Sequence, residues 1–392
     1  MTTERVYLDH NATAPLRPAA REAMSAALAV VGNASSVHAE GRAARARIEA
    51  AREQVAALVG AGPRAVTFTS GATEAIAQAL SPAIEIGGNI VHLDVLLVSA
   101  VEHPAVRSGG RFSADKIETI AVDRDGVVDL AALDESLARH RAAGRRALVS
   151  VMAANNETGV IQPIAEIAQG VRDAGGILHS DAVQIAGKLP FDLVASGADL
   201  ISISSHKLGG PQGTGALIVR SEEIRVPPLM RGGGQERGAR AGTENVAVIA
   251  GFGAAAEDAL HTLASEPGRL ARLRDAAEAG IKAAAPGAIV LSAGARRLPN
   301  TLCFAVPGIA AETAIIAFDL EGIALSAGAA CSSGKVGPSE ALKAMQVAPE
   351  VAKGAMRVSI GWDTNERDIS RFLDVWKCVY LNLGQRRRER AA

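Results

Sequence analysis

The 392-residue sequence predicts an α/β protein in which helices cover both faces of a mainly parallel β-sheet. Short apolar runs of strand type alternate with longer runs that have the period of a helix. This alternation is typical of strand–helix–strand units, in which helices return the chain so that the strands run parallel. Hydrophobic residues make up 48% of the chain and charged residues 21%, which is the balance of a globular protein with a large core.

The elements of the first two thirds of the chain follow from these periods. Strands are predicted at residues 65–69, 95–100, 116–122, 147–153, 176–180, 200–204 and 215–219. Helices are predicted at residues 18–30, 39–59, 129–141, 164–174 and 244–263, with a further helix from residue 73. The first of them begins with Pro18, which is favoured at a helix start.

The segment Ser-Glu-Pro-Gly at 265–268 is interpreted as the boundary between two domains. The large domain is placed at residues 15–264 and a smaller C-terminal α/β domain at 265–392. The smaller domain is predicted to hold helices at 269–285, 311–320 and 366–383 and strands at 301–306 and 357–360. Residues 1–14 are expected to pack near it.

Composition excludes several classes of function. The formal net charge of −1 and the pI of about 6.7 provide no field that would attract nucleic acid or an anionic membrane. The N-terminus lacks the pattern of a signal peptide, and the apolar runs fall short of the roughly 20 residues needed to span a bilayer. Three cysteines without paired spacing argue against a disulfide framework or a structural zinc site, so a reducing cytoplasm is the predicted location.

A lysine and an aspartate that follow two predicted strands point to a particular chemistry. Lys207 stands in Ser-Ser-His-Lys-Leu-Gly-Gly-Pro (204–211), between an apolar run and a glycine-rich turn, and Asp181 ends the run before it. A lysine amine can form a Schiff base with an aldehyde, and a buried carboxylate can keep a ring nitrogen protonated. These are the groups that pyridoxal phosphate chemistry requires of a protein.

Three further polar clusters follow predicted strands, where open parallel sheets bind ligands. The turn Ser-Gly-Ala-Thr-Glu (70–74) leads into a helix, whose first N–H groups can hold an anion, and Thr73 adds a hydroxyl. His103 precedes a proline that keeps its backbone extended, and its flat ring could stack on a flat cofactor. Asn156 lies in Asn-Asn-Glu-Thr-Gly (155–159). Turn chemistry explains each cluster alone but not their joint placement.

The three cysteines differ in their surroundings. Cys303 lies in a predicted core strand and Cys378 lies beside Trp376 and Val379, so both are interpreted as core residues. Cys331 lies among serine, glycine and alanine, with a single valine as the one large apolar neighbour. Such a segment cannot bury itself well, so we predict a mobile loop that presents a reactive thiol.

Taken together, the motifs resemble the cysteine desulfurases of the class V aminotransferase family over essentially the whole chain. The long serine- and glycine-rich stretch around Cys331 is similar to the subgroup that serves iron–sulfur or nitrogenase cluster assembly. The matching segments are residues 7–13, 32–36, 70–74, 102–106, 155–159, 179–184, 204–207, 231–245, 326–334 and 357–359. The resemblance implies fold type I of the pyridoxal phosphate enzymes, with a seven-stranded sheet in the large domain.

The resemblance also implies a role for each matching residue. Lys207 would bind pyridoxal phosphate, Asp181 would pair with its ring nitrogen, and His103 would stack on the ring. Gln184 and Asn156 would lie beside the ring hydroxyl. The phosphate would be held by Ala72, Thr73, Ser204 and His206, with Thr243 arriving from the other subunit of a homodimer. Arg357, with Asn33 and Asn156 nearby, would bind the substrate carboxylate.

The implied reaction removes sulfur from L-cysteine, giving L-alanine and a persulfide on Cys331 that passes to an acceptor or iron–sulfur scaffold protein. Because a thiol is mostly protonated at neutral pH, His103 is our candidate for handling its proton. No resident metal is predicted, although Cys331 could contact an iron–sulfur cluster on a partner for a short time. Selenocysteine lyase, class V aminotransferase and a non-catalytic cofactor-binding assembly subunit remain alternatives.

The sequence departs from the family pattern at three places. Trp362 stands where relatives often carry a second arginine after the Arg-x-Ser motif of Arg357. Residues 75–77, Ala-Ile-Ala, replace the usual asparagine-containing start of the helix, and Ala34 replaces a common proline. None of these changes removes a predicted catalytic group.

Overall fold

The computed structural model describes residues 5–328 and 339–391, with side chains described up to residue 383. Its helices are α1 (Pro18–Leu28), α2 (Ala39–Leu58), α3 (Ala72–Ala79), α4 (Pro104–Arg107), α5 (Leu130–Ala142), α6 (Ile164–Asp173), α7 (Leu193–Ser196), α8 (Val246–Thr262), α9 (Glu266–Ala284), α10 (Ala311–Leu320), α11 (Glu340–Ala344), α12 (Pro349–Ala352) and α13 (Glu366–Ala391). Its strands are β1 (Val6–Tyr7), β2 (Val66–Thr69), β3 (Ala83–Ile86), β4 (Asn89–His92), β5 (Val95–Ser99), β6 (Ile117–Ile120), β7 (Ala147–Ser150), β8 (Ile177–Asp181), β9 (Leu200–Ser204), β10 (Gly215–Val219), β11 (Ile224–Arg225), β12 (Ile289–Val290), β13 (Thr301–Ala305), β14 (Ile323–Ala324), β15 (Ser326–Ala327) and β16 (Met356–Ser359).

The central sheet has seven strands in the order β2-β10-β9-β8-β7-β5-β6. Strands β9, β8, β7, β5 and β6 are parallel, and β10 is antiparallel to both of its neighbours, β9 and β2. The predicted mainly parallel seven-stranded sheet is therefore confirmed. Since β2 runs in the same direction as β9, the carboxyl ends of β2, β5, β7, β8 and β9 meet at one edge with the start of β10.

Helices cover both faces of this sheet, because its strands are apolar on both sides. Buried residues of α2, α6 and α8 pack on one face, and α3 packs on the other. Glycine permits the close approach of α8 to α2: a Cβ at Gly253 would lie 2.6 Å from the Cβ of Ala51. The two helices can therefore pack with their backbones almost in contact.

A second core lies in the last third of the chain. Helices α9, α10 and α13 pack around a four-stranded sheet of order β12-β13-β16-β15, and aromatic rings fill its centre. The rings of Phe318 and Phe372 stack with centroids 5.6 Å apart, and Trp376 meets Phe304 edge-on at 5.4 Å. Strand β1 pairs with β14, and Val6 and Leu8 belong to the same core. The domain limits at 264 and 265 remain a prediction.

Three features differ from the sequence-based expectations. Pro267 and Gly268 lie inside the first turn of α9 rather than in an irregular break, because proline lacks the N–H that a first turn leaves unpaired. Cys378 is exposed rather than buried, since the face of α13 that carries it points away from Trp376. The hairpin of β3 and β4, which pairs with β11, was not predicted.

No single helix among the described residues is long and apolar enough to cross a membrane. Helices α8 and α9 pass such a test only as a pair, and the chain bends by 79° between them.

Candidate active site

The predicted cofactor residues converge on one cavity at the carboxyl edge of the central sheet. The cavity has a volume of about 360 Å³. It is lined by nine of the residues singled out from sequence: Ala72, Thr73, His103, Asn156, Asp181, Gln184, Ser204, His206 and Lys207. Met152, Ile76 and Thr214 complete parts of its wall. Strand polarity brings these residues together, because they lie at or after the carboxyl ends of five strands, β2, β5, β7, β8 and β9.

Lys207 enters the cavity from a single 3₁₀ turn, Ser205–Lys207, that directly follows β9. Its Nζ donates hydrogen bonds to the backbone carbonyls of Asn11 at 2.7 Å and Ala12 at 2.8 Å. The N-terminal segment therefore fixes the position of the lysine amine, although nearly 200 residues separate the two in sequence.

Asp181 is the last residue of β8, and its carboxyl group is buried. Burial raises the pKa of this carboxyl to about 6, while the N–H of Val183 and the charge of Lys207 act in the opposite direction. The N–H of Val183 donates to Oδ1 at 3.0 Å and so sets the orientation of the carboxylate. A cationic partner in the cavity would favour its ionised form.

His103 is held at the start of α4, just before Pro104. Its Nδ1 accepts a hydrogen bond from the N–H of Ala105 at 3.1 Å, so the proton of the neutral ring lies on Nε2. Burial and then the charge of Lys207 lower the pKa of His103 to about 4, which keeps the ring neutral at pH 7. In this orientation His103 offers a hydrogen-bond donor, and acting as a base at Nε2 would require the proton to move to Nδ1, which would break the contact with Ala105.

The turn between β2 and α3 forms the end of the cavity that suits an anion. Helix α3 begins at Ala72, with Thr73 in its first turn, so N–H groups without helical partners point into the cavity. A Cβ at Gly215 would lie 2.8 Å from the nitrogen of Ala72, so only glycine lets β10 pass this close. Glu74 fixes the turn by accepting from the N–H of Ser70 at 2.7 Å and from Arg240 at 3.0 Å.

Three predicted site residues do not line this cavity, and a fourth lies outside the described residues. Arg357 is buried behind it, where Nη1 donates to the carbonyl of Asn156 at 2.9 Å and Nη2 to Asp9 at 2.6 Å. Asn33 is exposed and caps its own loop through the N–H of Ser35. Thr243 is exposed, and Cys331 lies outside the described residues.

The loop before Thr243 is tied to the large core by an ion pair that sequence reasoning missed. Glu236 and Arg237 both have a left-handed backbone, with φ of 47° and 56°, which is unfavourable for residues with a Cβ. Both oxygens of the buried Glu236 carboxylate accept from the Arg52 guanidinium, at 2.7 and 2.9 Å. This pair offsets the backbone strain and sets where Thr243 emerges.

Sequence reasoning also missed Asn11, Lys188 and Glu102, which surround the cavity from behind. Asn11 lies within a segment matched to the family, Lys188 follows Gln184 by four residues, and Glu102 precedes His103. Only the fold shows that all three are buried. The one signal in the sequence was Lys188, which follows the predicted strand-end Asp181 in the same segment. A lysine at such a position is equally typical of a surface residue.

Glu102 leads to a prediction about stability and pH. Burial raises the pKa of its carboxyl to about 8, against the effect of hydrogen bonds from Ser99 and the N–H of Met152. Above pH 4.5 the unfolded chain releases the Glu102 proton, whereas the folded protein keeps it up to about pH 8. Unfolding therefore becomes more favourable as pH rises from 4.5 towards 8, and the free energy of unfolding falls over this range.

We expect Glu102→Gln to be close to the wild type in free energy of unfolding at pH 5 and more stable by roughly a few kcal/mol at pH 8. The amide oxygen can still accept from Ser99 and Met152. Urea unfolding at the two pH values measures the difference, with Glu166→Gln on the exposed side of α6 as the control. If the free energy of unfolding differs between variant and wild type by the same amount at both pH values, Glu102 is not protonated in the folded protein.

Comparison with known proteins places this site in a family. The class V aminotransferase model matches residues 6–372. The chain is 41% identical over 384 residues to a cysteine desulfurase from Gluconacetobacter diazotrophicus, covering 96% of this chain and 94% of that one. It is 40% identical to the IscS-like cysteine desulfurase of Mycobacterium tuberculosis, covering 94% of each chain. The chain belongs to the cysteine desulfurases of the class V aminotransferase family.

The solved structures agree with this assignment. The NifS-like protein from Rickettsia africae superposes with a TM-score of 0.86 at 34% identity, covering 96% of this chain and 99% of that chain. These matches favour cysteine desulfurase over the aminotransferase, the selenocysteine lyase and the non-catalytic subunit considered from sequence. Membership also means that the enzyme depends on pyridoxal phosphate.

The residues that line the cavity of this desulfurase fit pyridoxal phosphate. They supply an amine for its aldehyde, a buried carboxylate for its ring nitrogen and helical N–H groups for its phosphate. The turn at Gly71 and Ala72 stays open on the cavity side, since a Cβ built at Gly71 would meet no atom within 4 Å. A volume of about 360 Å³ lies within the range of roughly 300–1,000 Å³ that is common for small-molecule and cofactor sites.

Proposed function

We propose that the cavity around Lys207 is the active site in which this desulfurase transfers the sulfur of L-cysteine to the thiol of Cys331. L-Alanine is the second product, and the Cys331 persulfide is the form in which sulfur leaves. The observation that carries the proposal is the convergence of Lys207, Asp181, His103 and the start of α3 on one cavity. Each group comes from a different strand end, and turn geometry alone does not require their meeting.

Pyridoxal phosphate, when bound, supplies an electron sink for the bonding pair left on the substrate Cα. Lys207 would hold it through Nζ, and the phosphate would lie at Ala72, Thr73, Ser204 and His206. Asp181 would keep the ring nitrogen protonated, because its buried carboxylate gains a cationic partner there. Gln184 and Asn156 would lie beside the ring hydroxyl, and His103 would stack on the ring.

Lys207 is the residue that moves the proton. With the substrate bound in the cavity, the Nζ of Lys207 would accept the proton from Cα and later return one to the product. The carbonyls of Asn11 and Ala12 hold Nζ in position between these transfers. A proton acceptor held at a fixed position typically contributes about 10²–10⁴-fold to rate.

Arg357 is proposed to bind the substrate carboxylate. Its guanidinium now pairs with Asp9 and the carbonyl of Asn156, and both contacts lie at the rear of the cavity wall. Its Nε is buried and has no hydrogen-bond partner among the described residues, so it keeps one donor available. Asn33 is proposed to assist when the substrate is present.

The chemical step at Cys331 balances without an added oxidant or reductant. The thiolate attacks the substrate sulfur, an S–S bond forms, and the C–S bond breaks with its electron pair going to the substrate carbon. A proton on that carbon completes alanine, and Cys331 keeps the sulfur as a persulfide. His103 is also proposed to handle the thiol proton, and its Nδ1 contact with the N–H of Ala105 must break for this role.

We further propose a homodimer in which Thr243 completes the phosphate site of the other subunit. Thr243 is exposed and does not line the cavity of its own chain, and Arg52 and Glu236 fix the loop that carries it. The acceptor is proposed to be a sulfur-carrier or iron–sulfur scaffold protein. A free thiol such as that of Cys331 persists best in a reducing compartment, which favours the cytoplasm.

A single reaction mixture tests the proposed function. Purified protein loaded with pyridoxal phosphate is incubated with L-cysteine and no acceptor, and alanine and persulfide are measured together. We expect a first burst in which alanine equals the persulfide found on the Cys331 peptide by mass spectrometry. Pyruvate in place of alanine, or alanine without any persulfide on that peptide, would contradict the proposal.

A further inference from the structure

Asn11 is a buried residue of the N-terminal segment, and its side-chain amide uses its full hydrogen-bonding capacity. Its Oδ1 accepts from Nζ of Lys188 at 2.8 Å and from Nδ2 of Asn300 at 3.1 Å. Its Nδ2 donates to the carbonyl of Asn156 at 3.2 Å and to Oγ1 of Thr301 at 2.8 Å. Both donor protons and both acceptor positions of the amide therefore have partners.

The neighbours of this amide determine which way it faces. Nδ2 of Asn300 donates to the carbonyl of Ile360 at 3.0 Å, so the same amide nitrogen can only donate to Asn11. The hydroxyl of Thr301 donates to Oδ1 of Asn300 at 3.0 Å, so its oxygen can only accept from Asn11. An amide at position 11 meets both requirements, whereas a carboxylate would place an oxygen against two acceptors, Thr301 and the carbonyl of Asn156.

The backbone of Asn11 contacts two residues that line the active-site cavity. Its carbonyl accepts from Nζ of Lys207 at 2.7 Å and from Nε2 of Gln184 at 3.1 Å. Its N–H donates to Oγ of Ser359 at 3.0 Å. The side-chain and N–H contacts fix the direction of this carbonyl, because turning the residue to redirect it would break them.

The carbonyl of Asn156 joins Asn11 to the residue proposed to bind the substrate carboxylate. It accepts from Nη1 of Arg357 at 2.9 Å as well as from Nδ2 of Asn11. Asn11 thus holds the Lys207 amine through its backbone and the turn beside Arg357 through its side chain. One buried residue connects both ends of the proposed substrate site.

We propose that Asn11 is a positioning residue whose side-chain amide keeps the Lys207 amine and the Asn156 turn in fixed relative positions. The inference rests on the proposed function, in which Nζ of Lys207 accepts the Cα proton of a substrate bound by Arg357. Such a proton transfer requires close and aligned groups, and a displacement of about 1 Å can cost about 100-fold in rate. The amide acts on this step without contacting the substrate.

Asn11→Ala tests the proposal, because it removes the amide and keeps the backbone carbonyl. The variant should fold, since every buried partner of the amide retains another contact: Lys188 with Gln184, Asn300 with Ile360, Thr301 with Asn300, and Asn156 with Arg357. Exchange of the Cα proton of L-alanine in D2O, followed by NMR, measures proton transfer at Lys207 without the thiol of Cys331. We expect the exchange rate per attached cofactor to fall about 10- to 100-fold.

Dividing by the attached cofactor separates positioning from a loss of folded protein, because unfolded chains do not retain the cofactor. Asn11→Asp tests the amide in a second way. It keeps the size of the side chain but places an oxygen against the two acceptors at Asn156 and Thr301. We expect exchange to fall at least about 10-fold in this variant as well. Asn89→Asp makes the same change at an exposed position of β4 and should leave the rate unchanged.

A further measurement does not use the reaction. Hydrogen exchange of the full-length protein stripped of cofactor, read by peptide mass spectrometry, reports on the backbone around the amide. In both Asn11 variants we expect exchange in residues 8–14 and 155–159 to become faster by about 10-fold, with α5 unchanged. Wild-type exchange rates in these two segments, or a wild-type rate of alanine exchange in either Asn11 variant, would overturn the proposal.

Failure of this inference is distinguishable from failure of the proposed function. Borohydride reduction of the loaded wild-type protein, followed by peptide mapping, shows which lysine carries the cofactor. Cofactor on a residue other than Lys207, or no exchange of the alanine Cα proton by the wild type, contradicts the proposed function. Cofactor on Lys207 and exchange at the same rate in wild type and Asn11 variants leave that function in place and overturn the role of Asn11 alone.

Discussion

Lys207→Ala is expected to abolish covalent attachment of the cofactor and to lower alanine formation from L-cysteine by at least about 10³-fold. The variant removes the amine that follows β9 and the group that accepts the Cα proton. Its fold should survive, because Lys207 contributes two hydrogen bonds to carbonyls at Asn11 and Ala12 that water in the cavity can replace. Near-ultraviolet absorbance of the reduced cofactor adduct that remains on the protein after borohydride treatment and dialysis measures attachment.

The matched control is Lys353→Ala, which removes an exposed lysine after α12 and should leave absorbance and activity unchanged. Cofactor retained covalently by Lys207→Ala would mean that another lysine carries it. Lys188 is the first candidate for such a result, because its amine is also buried beside Gln184. In that case the cofactor would be attached to the lysine that contacts the side chain of Asn11, and not to the lysine that contacts its backbone carbonyl.

Cys331→Ser is expected to keep the cofactor absorbance and to lose sulfur transfer, with persulfide absent and alanine formation reduced by about 10³-fold or more. A serine hydroxyl is far less nucleophilic than a thiolate towards sulfur, so the C–S bond is not broken by attack at this position. The first steps at Lys207 do not require the thiol. The absorbance change on adding L-cysteine should therefore persist in the variant.

Cys378→Ser is the matched control, because Cys378 is an exposed thiol on α13 and outside the active site. It should match the wild type in alanine and persulfide formation. If Cys331→Ser still forms alanine at the wild-type rate, a different acceptor takes the sulfur, and the role assigned to Cys331 is wrong.

Much of the site could be predicted because sequence fixes strand polarity. A strand in a strand–helix–strand unit has a known direction, so residues after the ends of β5, β7, β8 and β9 must share one edge. This rule on strand direction brings Asp181, His103 and Lys207 to the same edge from the sequence alone. The helix start at Ala72 joins them because β2 runs in the same direction as β9.

Other features depended on contacts that no local pattern encodes. In the sequence, Lys188 is an ordinary lysine that follows a strand. Only the structure shows that its amine is buried and donates to Asn11 and Gln184. Cys378 is exposed because it lies on the outward face of α13. The few apolar residues around Trp376 do not show which face of the helix is buried. Pro267 was misread as a break because its position in a first turn depends on where the helix starts.

Sequence by itself determined the fold class, the family and the identity of the groups that follow each strand, since these depend on residue order and period. Only the tertiary structure decided which groups are brought into contact by the N-terminal segment and how burial changes their protonation. The physical reason is the distance along the chain over which each effect operates. The hydrophobic period that specifies a helix or strand involves only neighbouring residues, whereas the desolvation and hydrogen bonding of Lys207, Lys188 and Asp181 depend on segments far apart in the chain.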